Sequence, residues 1–507
     1  MALTQVRTEN GIVEGYPAGN QNITVFKGIP FAKPPVGELR WKAPEPAENW
    51  EGVKRCYQFG NIAVQKRFIS EGGGTGLAAQ EFYVRDYPMS EDCLYLNIWT
   101  PAKTGTEKFP VAVYIHGGGY ETGYSYLNAY DGEGFAKRDI VMVTVAYRLN
   151  VFGFLATPEL TAEDPHGSSG NYGTMDLVAA VEWVRRNISS FGGDPEHISL
   201  FGQSAGGGCV QNLCASPLMK GKIFSAIFQS SGGISRGSLL DSPSRETAEE
   251  RGTAFLAFAG LNNLKEARAA SAEYLIQKYQ EYTGAGYGML FPPAVDGYVL
   301  PEDPAQYFLS GKHDNIPYMV GCTKDEMRRP GAPAPTKEQL AKFAEQRYGK
   351  DLVEPFLQAV HADDPEAVQP QFEDQMGNDF LSADLAFCEN QNDLGYRPAY
   401  MYYFTYVPPG AGATGAHHSV EHHYVFQTLL RSKRPYTGFD FELSNELADY
   451  WANFIKTGNP NGEKEVWKPF TKEAPEGLII GAERRMEKVP EMPNVTFQKN
   501  YSLGKLG

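Results

Sequence analysis

Short apolar runs recur through the middle of the chain at residues 94–99, 110–116, 140–147 and 198–201, each about the length of a strand buried on both faces. Between the last two, Leu177, Val178, Val181, Val184 and Ile188 fall on one side at helical spacing. Strands alternating with helices predict βαβ units, an α/β class fold and a large, mostly parallel central sheet flanked by helices. Further strands are expected at 225–229, 317–321 and 399–406. Upstream, residues 8–41 alternate between apolar and polar positions with turn residues between, which predicts an antiparallel start to the sheet. Segments 242–283 and 337–362 read as helices charged on one side, packed as excursions over the sheet ends. In such sheets ligands bind beyond the carboxyl ends of the strands. The long aperiodic stretch 62–90 would supply a pocket wall there.

Length changes this picture little. At 507 residues the chain would by size alone divide into about three domains. No linker, charge block or fixed-period repeat separates the apolar segments, so one domain over 1–507 is expected, with insertions at 62–90 and roughly 235–395. The 42% hydrophobic and 13% aromatic content exclude disorder. A formal charge of −15 excludes nucleic acid as a partner and gives no attraction to anionic lipid. No apolar run approaches the length of a membrane span. Residues 1–7 lack a signal pattern and the six cysteines are scattered, which predicts a cytoplasmic chain with free thiols; a trimmed secreted protein would read the same way. A monomer is expected, a dimer being the alternative.

The candidate chemistry begins at Gly202-Gln203-Ser204-Ala205-Gly206, a G-x-S-x-G pattern directly after an expected strand. Glycines on either side let strand and helix pass closely while the serine stands at a tight turn. Its oxygen would lie at a helix start, where unpaired N–H groups and the helix dipole favour negative charge. The second constellation is His116-Gly117-Gly118-Gly119-Tyr120, also following a strand. Bare backbone there can turn N–H groups toward an anion, so Gly118, Gly119 and Ala205 are the expected oxyanion donors.

These motifs, with others in order along nearly the whole chain, resemble the type-B carboxylesterases, the family of carboxylesterases, cholinesterases and bacterial nitrobenzyl-ester hydrolases. The carriers include Phe26-Lys27-Gly28-Ile29-Pro30, Ser90-Glu91-Asp92-Cys93-Leu94, Gly170-Asn171-Tyr172-Gly173, Phe191-Gly192-Gly193-Asp194-Pro195 and Tyr450-Trp451-Ala452-Asn453-Phe454. The resemblance implies an α/β-hydrolase fold, with helical and loop insertions over the active-site end, and a bacterial-type serine hydrolase that cleaves small carboxylic esters through an acyl-enzyme, without cofactor or metal. It implies Glu326, in Gly321-Cys322-Thr323-Lys324-Asp325-Glu326, as the acid, with Asp325 as a surface-exposed alternative. His418 aligns as the base in Gly415-Ala416-His417-His418-Ser419-Val420-Glu421, with His417 as the alternative, and Ser230 as a supporting serine. Ser204 would be the nucleophile.

Departures from the family pattern are Gln203 where glutamate is usual, Asn150 where glycine is common, and His422 in place of an aliphatic residue. The cysteine that many secreted relatives pair with the Cys93 position has no counterpart near Ala63. Tyr120, Tyr124, Phe82 and Tyr83 are expected pocket walls, suited to an aryl or hydroxycinnamoyl ester. Feruloyl or aryl-ester specialisation, amide or lactone cleavage on the same site, and a non-catalytic interaction protein remain as alternatives. The roles of His417, His422 and His423 stay open, and a metal site among them lacks an H-E-x-x-H order.

Overall fold

The computed structural model describes residues 2–67, 81–82, 86–237, 241–284, 290–410 and 415–506. The N-terminal strands are β1 (Gln5–Thr8), β2 (Gly11–Glu14), β3 (Tyr16–Pro17), β4 (Thr24–Pro30) and β5 (Val53–Arg55). The centre holds β6 (Tyr95–Thr100), β7 (Phe109–Ile115), β8 (Val141–Val145), β9 (Gly193–Gln203) and β10 (Ser225–Gln229). The last are β11 (Tyr318–Thr323), β12 (Tyr400–Phe404), β13 (Glu476–Ile480) and β14 (Arg484–Lys488).

Among the described residues, eleven strands form one sheet in the order β14-β13-β12-β11-β10-β9-β7-β8-β6-β4-β3. Every ladder from β8 through β7, β9, β10, β11 and β12 to β13 is parallel. The edges are antiparallel: β3, β4 and β6 at one side, the β13–β14 hairpin at the other. The expected antiparallel start is thus present, but β1, β2 and β5 form a separate three-stranded sheet. The C-terminal hairpin carries no strand pattern in the sequence, because Arg484–Lys488 is charged at every position but Met486, which packs against the second core.

Side-chain alternation divides the interior in two. On β7, Val111, Val113 and Ile115 join one core while Ala112 and Tyr114 join the other. The strand is buried on both faces, which is why it reads as a continuous apolar run. Helices α1 (Tyr172–Asn187), α2 (Ala205–Ala215) and α3 (Gln375–Asp393) pack into the first core through Leu177, Val210 and Phe387. Helix α4 (Gly438–Thr457) fills the second through Leu447 and Trp451. No helix among the described residues is long and apolar enough to cross a membrane. All six cysteines are free.

Candidate active site

Strand β9 ends at Gln203 and α2 begins at Ala205, so Ser204 alone makes the turn, at φ 55° and ψ −135°. That region is costly for a side-chain-bearing residue, by about 1–3 kcal/mol, and holds only where the surroundings enforce it. The enforcement is steric and hydrogen-bonded. A Cβ on Gly206 would sit 2.2 Å from the Ile115 carbonyl oxygen, and one on Gly202 would sit 2.4 Å from that of Gly206. The Ser204 N–H donates to the Gln229 carbonyl at the end of β10, at 2.8 Å.

The glycine loop leaves the end of β7 and presses on this turn. A Cβ on Gly117 would lie 2.5 Å from the Gln203 carbonyl oxygen. Gly118 (φ 116°) has its carbonyl occupied by the N–H groups of Glu121 and Thr122. Its own N–H, and those of Gly119 and Ala205, donate to no acceptor among the described residues, and all three residues line one cavity with Ser204. Asn150 braces the loop from behind. In a left-handed conformation (φ 45°), it donates from its backbone to the Tyr120 carbonyl and from its amide to the carbonyls of Glu121 and Val64. The replacement of a common glycine therefore keeps the backbone geometry and adds a brace, since asparagine tolerates positive φ.

Glu326 follows β11, and His418 lies in a loop stitched to it. The His418 N–H donates to the Glu326 carbonyl at 3.0 Å, and Asp325 and Ala416 exchange backbone and carboxylate bonds. The imidazole Nδ1 meets the Glu326 carboxylate, which also accepts the Thr323 N–H at 2.7 Å. Burial pushes the Glu326 carboxyl up, but the adjoining imidazole, the Ser230 hydroxyl and the Thr323 N–H together hold it below its usual range. Burial alone would lower His418, yet the Glu326 charge and hydrogen bond outweigh it and raise the imidazole above its ordinary value. Asp325 is not surface-exposed as expected: it is buried, because its carboxylate anchors the Ala416 N–H and Arg328.

The other histidines have separate partners. His417 turns its Nδ1 to the His418 carbonyl and takes an Arg434 hydrogen bond at Nε2, 2.9 Å. His422 meets the Tyr114 hydroxyl at 2.8 Å, and His423 bonds Thr428 and stacks on Phe82. Both belong to the packed interior; among the described residues no cluster of His, Cys, Asp or Glu could hold a metal ion.

Two site features escaped sequence reasoning. The Gln203 side-chain amide donates to His418 Nε2 at 3.1 Å, a long-range contact that a strand-end glutamine does not announce. Behind the site Glu421 is fully buried; burial, with the Glu326 charge, pushes its carboxyl up to about 7. The cavity has a volume of about 880 Å³. Phe82 and Tyr120 line it as expected. Tyr124 does not; it is buried among Tyr87 and Tyr126, where its ring completes an aromatic cluster. Tyr83 lies outside the described residues. Phe380, from α3, stacks 6.0 Å from the His418 ring.

The model of the carboxylesterase family matches residues 2–498. The chain belongs to that family. This carboxylesterase family member is 34% identical over 500 residues to the para-nitrobenzyl esterase of Bacillus subtilis, covering 96% of each chain. It is 34% identical to the fumonisin B1 esterase of Sphingopyxis macrogoltabida, covering 91% of this chain and 84% of that one. A solved structure of PNB esterase superposes with a TM-score of 0.83 at 33% identity, covering 99% of both chains. The fold is the α/β-hydrolase fold, and the family's chemistry makes the molecule a carboxylic-ester hydrolase of the serine type.

Proposed function

We propose that Ser204 is the nucleophile, His418 the general base and Glu326 the acid that orients it, with Gly118, Gly119 and Ala205 as oxyanion donors. The observation that carries this reading is the Glu326–His418 pair opening on the same cavity as the strained Ser204 and three unengaged N–H groups. His418 takes the seryl proton as Ser204 attacks the ester carbonyl, and the carboxylate stabilises the imidazolium that forms. The developing oxyanion is held by the backbone donors, each worth roughly 3–4 kcal/mol in the transition state. The same imidazolium then protonates the departing alcohol, and water, deprotonated in turn by His418, frees the acyl group.

Ser242, Asp303, Met327 and Phe380 line the cavity together with Phe82 and His417, which supports the 235–395 insertion as a pocket wall within one domain; the protein is read as a monomer. Six free thiols support a reducing compartment. Steady-state hydrolysis of para-nitrophenyl acetate and butyrate tests the roles. Ser204→Ala is expected to lower kcat by about 10⁴-fold or more, and Glu326→Gln by about 10³–10⁴-fold. Full activity in Ser204→Ala would sink the assignment.

A further inference from the structure

One wall of the cavity carries polar side chains that the protein itself leaves unengaged. Asn212, Ser231 and Ser235 are 5%, 5% and 6% exposed, and all line the cavity that holds Ser204. Neither the Asn212 amide nor the Ser231 and Ser235 hydroxyls make a side-chain hydrogen bond among the described residues. Tyr120, after the glycine loop, likewise has no partner for its hydroxyl there, although its ring packs against Phe154. The Ser235 hydroxyl is closed off from solvent without a partner, and a buried group left so forfeits about 1–3 kcal/mol, while the Tyr120, Asn212 and Ser231 groups face the cavity. Four on one wall of a reaction cavity call for a ligand that bonds them.

Helix α2 sets the place of Asn212 and, through Gly208, of the Tyr120 and Ser231 hydroxyls, and Ser235 lines the same cavity. Ser204, Gly208 and Asn212 follow at i, i+4 and i+8, so they share one helix face. Gly208 donates its N–H to the Ser204 carbonyl, and a Cβ there would lie 2.4 Å from the Tyr120 hydroxyl oxygen and 3.3 Å from that of Ser231. The two hydroxyls therefore lie within a turn of the nucleophile, and Asn212 lies a further turn along, about 12 Å of helix rise from Ser204. Glu121 and Asp303 add carboxyl groups to the same cavity, and Arg329, exposed, is the one Lys or Arg among the described lining residues. The wall is therefore rich in hydroxyl, amide and carboxyl oxygen, with no buried cation to take a carboxylate. That balance suits a neutral group that both donates and accepts, namely an aliphatic hydroxyl or several.

We propose that Tyr120, Asn212, Ser231 and Ser235 form a specificity subsite for a hydroxylated half of the ester substrate. This rests on the reading of Ser204 as the nucleophile. A plain alkyl half would cover the four groups without bonding them, whereas a hydroxylated half can donate to and accept from them.

Two matched pairs test it in wild-type enzyme by pH-stat kinetics: butyl butyrate against glycerol monobutyrate, and ethyl butyrate against ethyl β-hydroxybutyrate. The hydroxylated member of at least one pair is expected to have a kcat/KM about tenfold or more above its alkyl counterpart. In Asn212→Leu/Ser235→Ala that ratio is expected to fall about fivefold or more; Ser235→Ala alone, a smaller change, reads the same ratio if the double variant melts early. Ratios near one for both pairs in the wild type, or a preference unchanged in folded variants, overturn the subsite while ester hydrolysis stands. Failure to cleave any of the four esters or para-nitrophenyl acetate overturns both readings.

Discussion

At the scale of single residues, Gln203 touches His418, the proposed base, and so bears on how it is poised. A glutamate at that position would bring a carboxylate to the place where an amide now donates to His418 Nε2. An adjacent negative charge favours the imidazolium, typically by about one pH unit or more. The base works only when neutral, so activity falls as pH drops through the His418 pKa. Because Glu326 already holds that value above the ordinary imidazole range, the acid limb of kcat/KM is expected above about pH 6.5 in the wild type. Gln203→Glu is expected to move the limb roughly one unit higher. A pH–rate profile for each protein checks this, and an unmoved limb would rule out electrostatic contact between the two side chains. The glutamine was legible as a departure from the family pattern. Its contact with His418 was not, since 215 residues separate the two.

Among elements, the elbow and the glycine loop act as one unit because their backbones touch. Gly206 faces the Ile115 carbonyl of β7, and Gly117 faces the Gln203 carbonyl of β9. Any Cβ at Gly206 must displace main chain, since the atoms in its way are backbone rather than a flexible side-chain end. Gly206→Ala is therefore expected to destabilise the fold by about 2 kcal/mol or more and to lower kcat through a shifted Ser204. Thermal unfolding and steady-state kinetics on one preparation separate the two effects. A variant with wild-type Tm and kcat would show that the close approach has slack. The central strands could be placed from apolar runs to within a few residues, β10 being the closest match at Ser225–Gln229. The N-terminal strands divided between two sheets because alternation records which face is buried and carries no information on the partner strand.

Across the whole molecule, the pH dependence of stability follows from ionisable groups buried without full compensation. Burial pushes Glu121 up to about 8, against the opposing bond from Tyr279, and Glu421 to about 7. A carboxyl with a raised folded pKa binds its proton more tightly in the native state, so it withdraws stability as pH rises from its unfolded value through its folded one. Burial acts oppositely on the imidazoles: His116, His313 and His423 are lowered to about 4 and His422 to about 3. Those groups withdraw stability as pH falls below about 6.5. Between about pH 4.5 and 6.5 the two sets oppose each other; above that window these four histidines contribute no slope, while the carboxyls and His418, whose value is raised, withdraw stability as pH rises. Tm is therefore expected to fall between pH 6.5 and 8, Glu121 contributing on the order of 1 kcal/mol per pH unit up to about pH 8 and Glu421 up to about pH 7. Glu121→Gln should flatten that decline in a thermal-shift series. An equally steep decline in the variant would assign the slope to other groups.

Period-two and helical patterns and a set of ordered family blocks were enough to predict the fold class, and with two glycine motifs they directed attention to Ser204, Gly118, Gly119, Ala205 and, by alignment, Glu326 and His418. These are local or ordered signals: steric demands for glycine act on neighbours in the chain, and buried strands need apolar runs wherever they pair. Only the folded chain placed Tyr124 in an aromatic cluster rather than on the cavity wall, and Asp325 inside the molecule rather than on its surface. It alone brought Gln203 against His418, Asn150 behind the glycine loop and four unengaged polar side chains onto one cavity. Such placements depend on which surfaces meet when distant segments pack, and the residue types of any one segment leave that open.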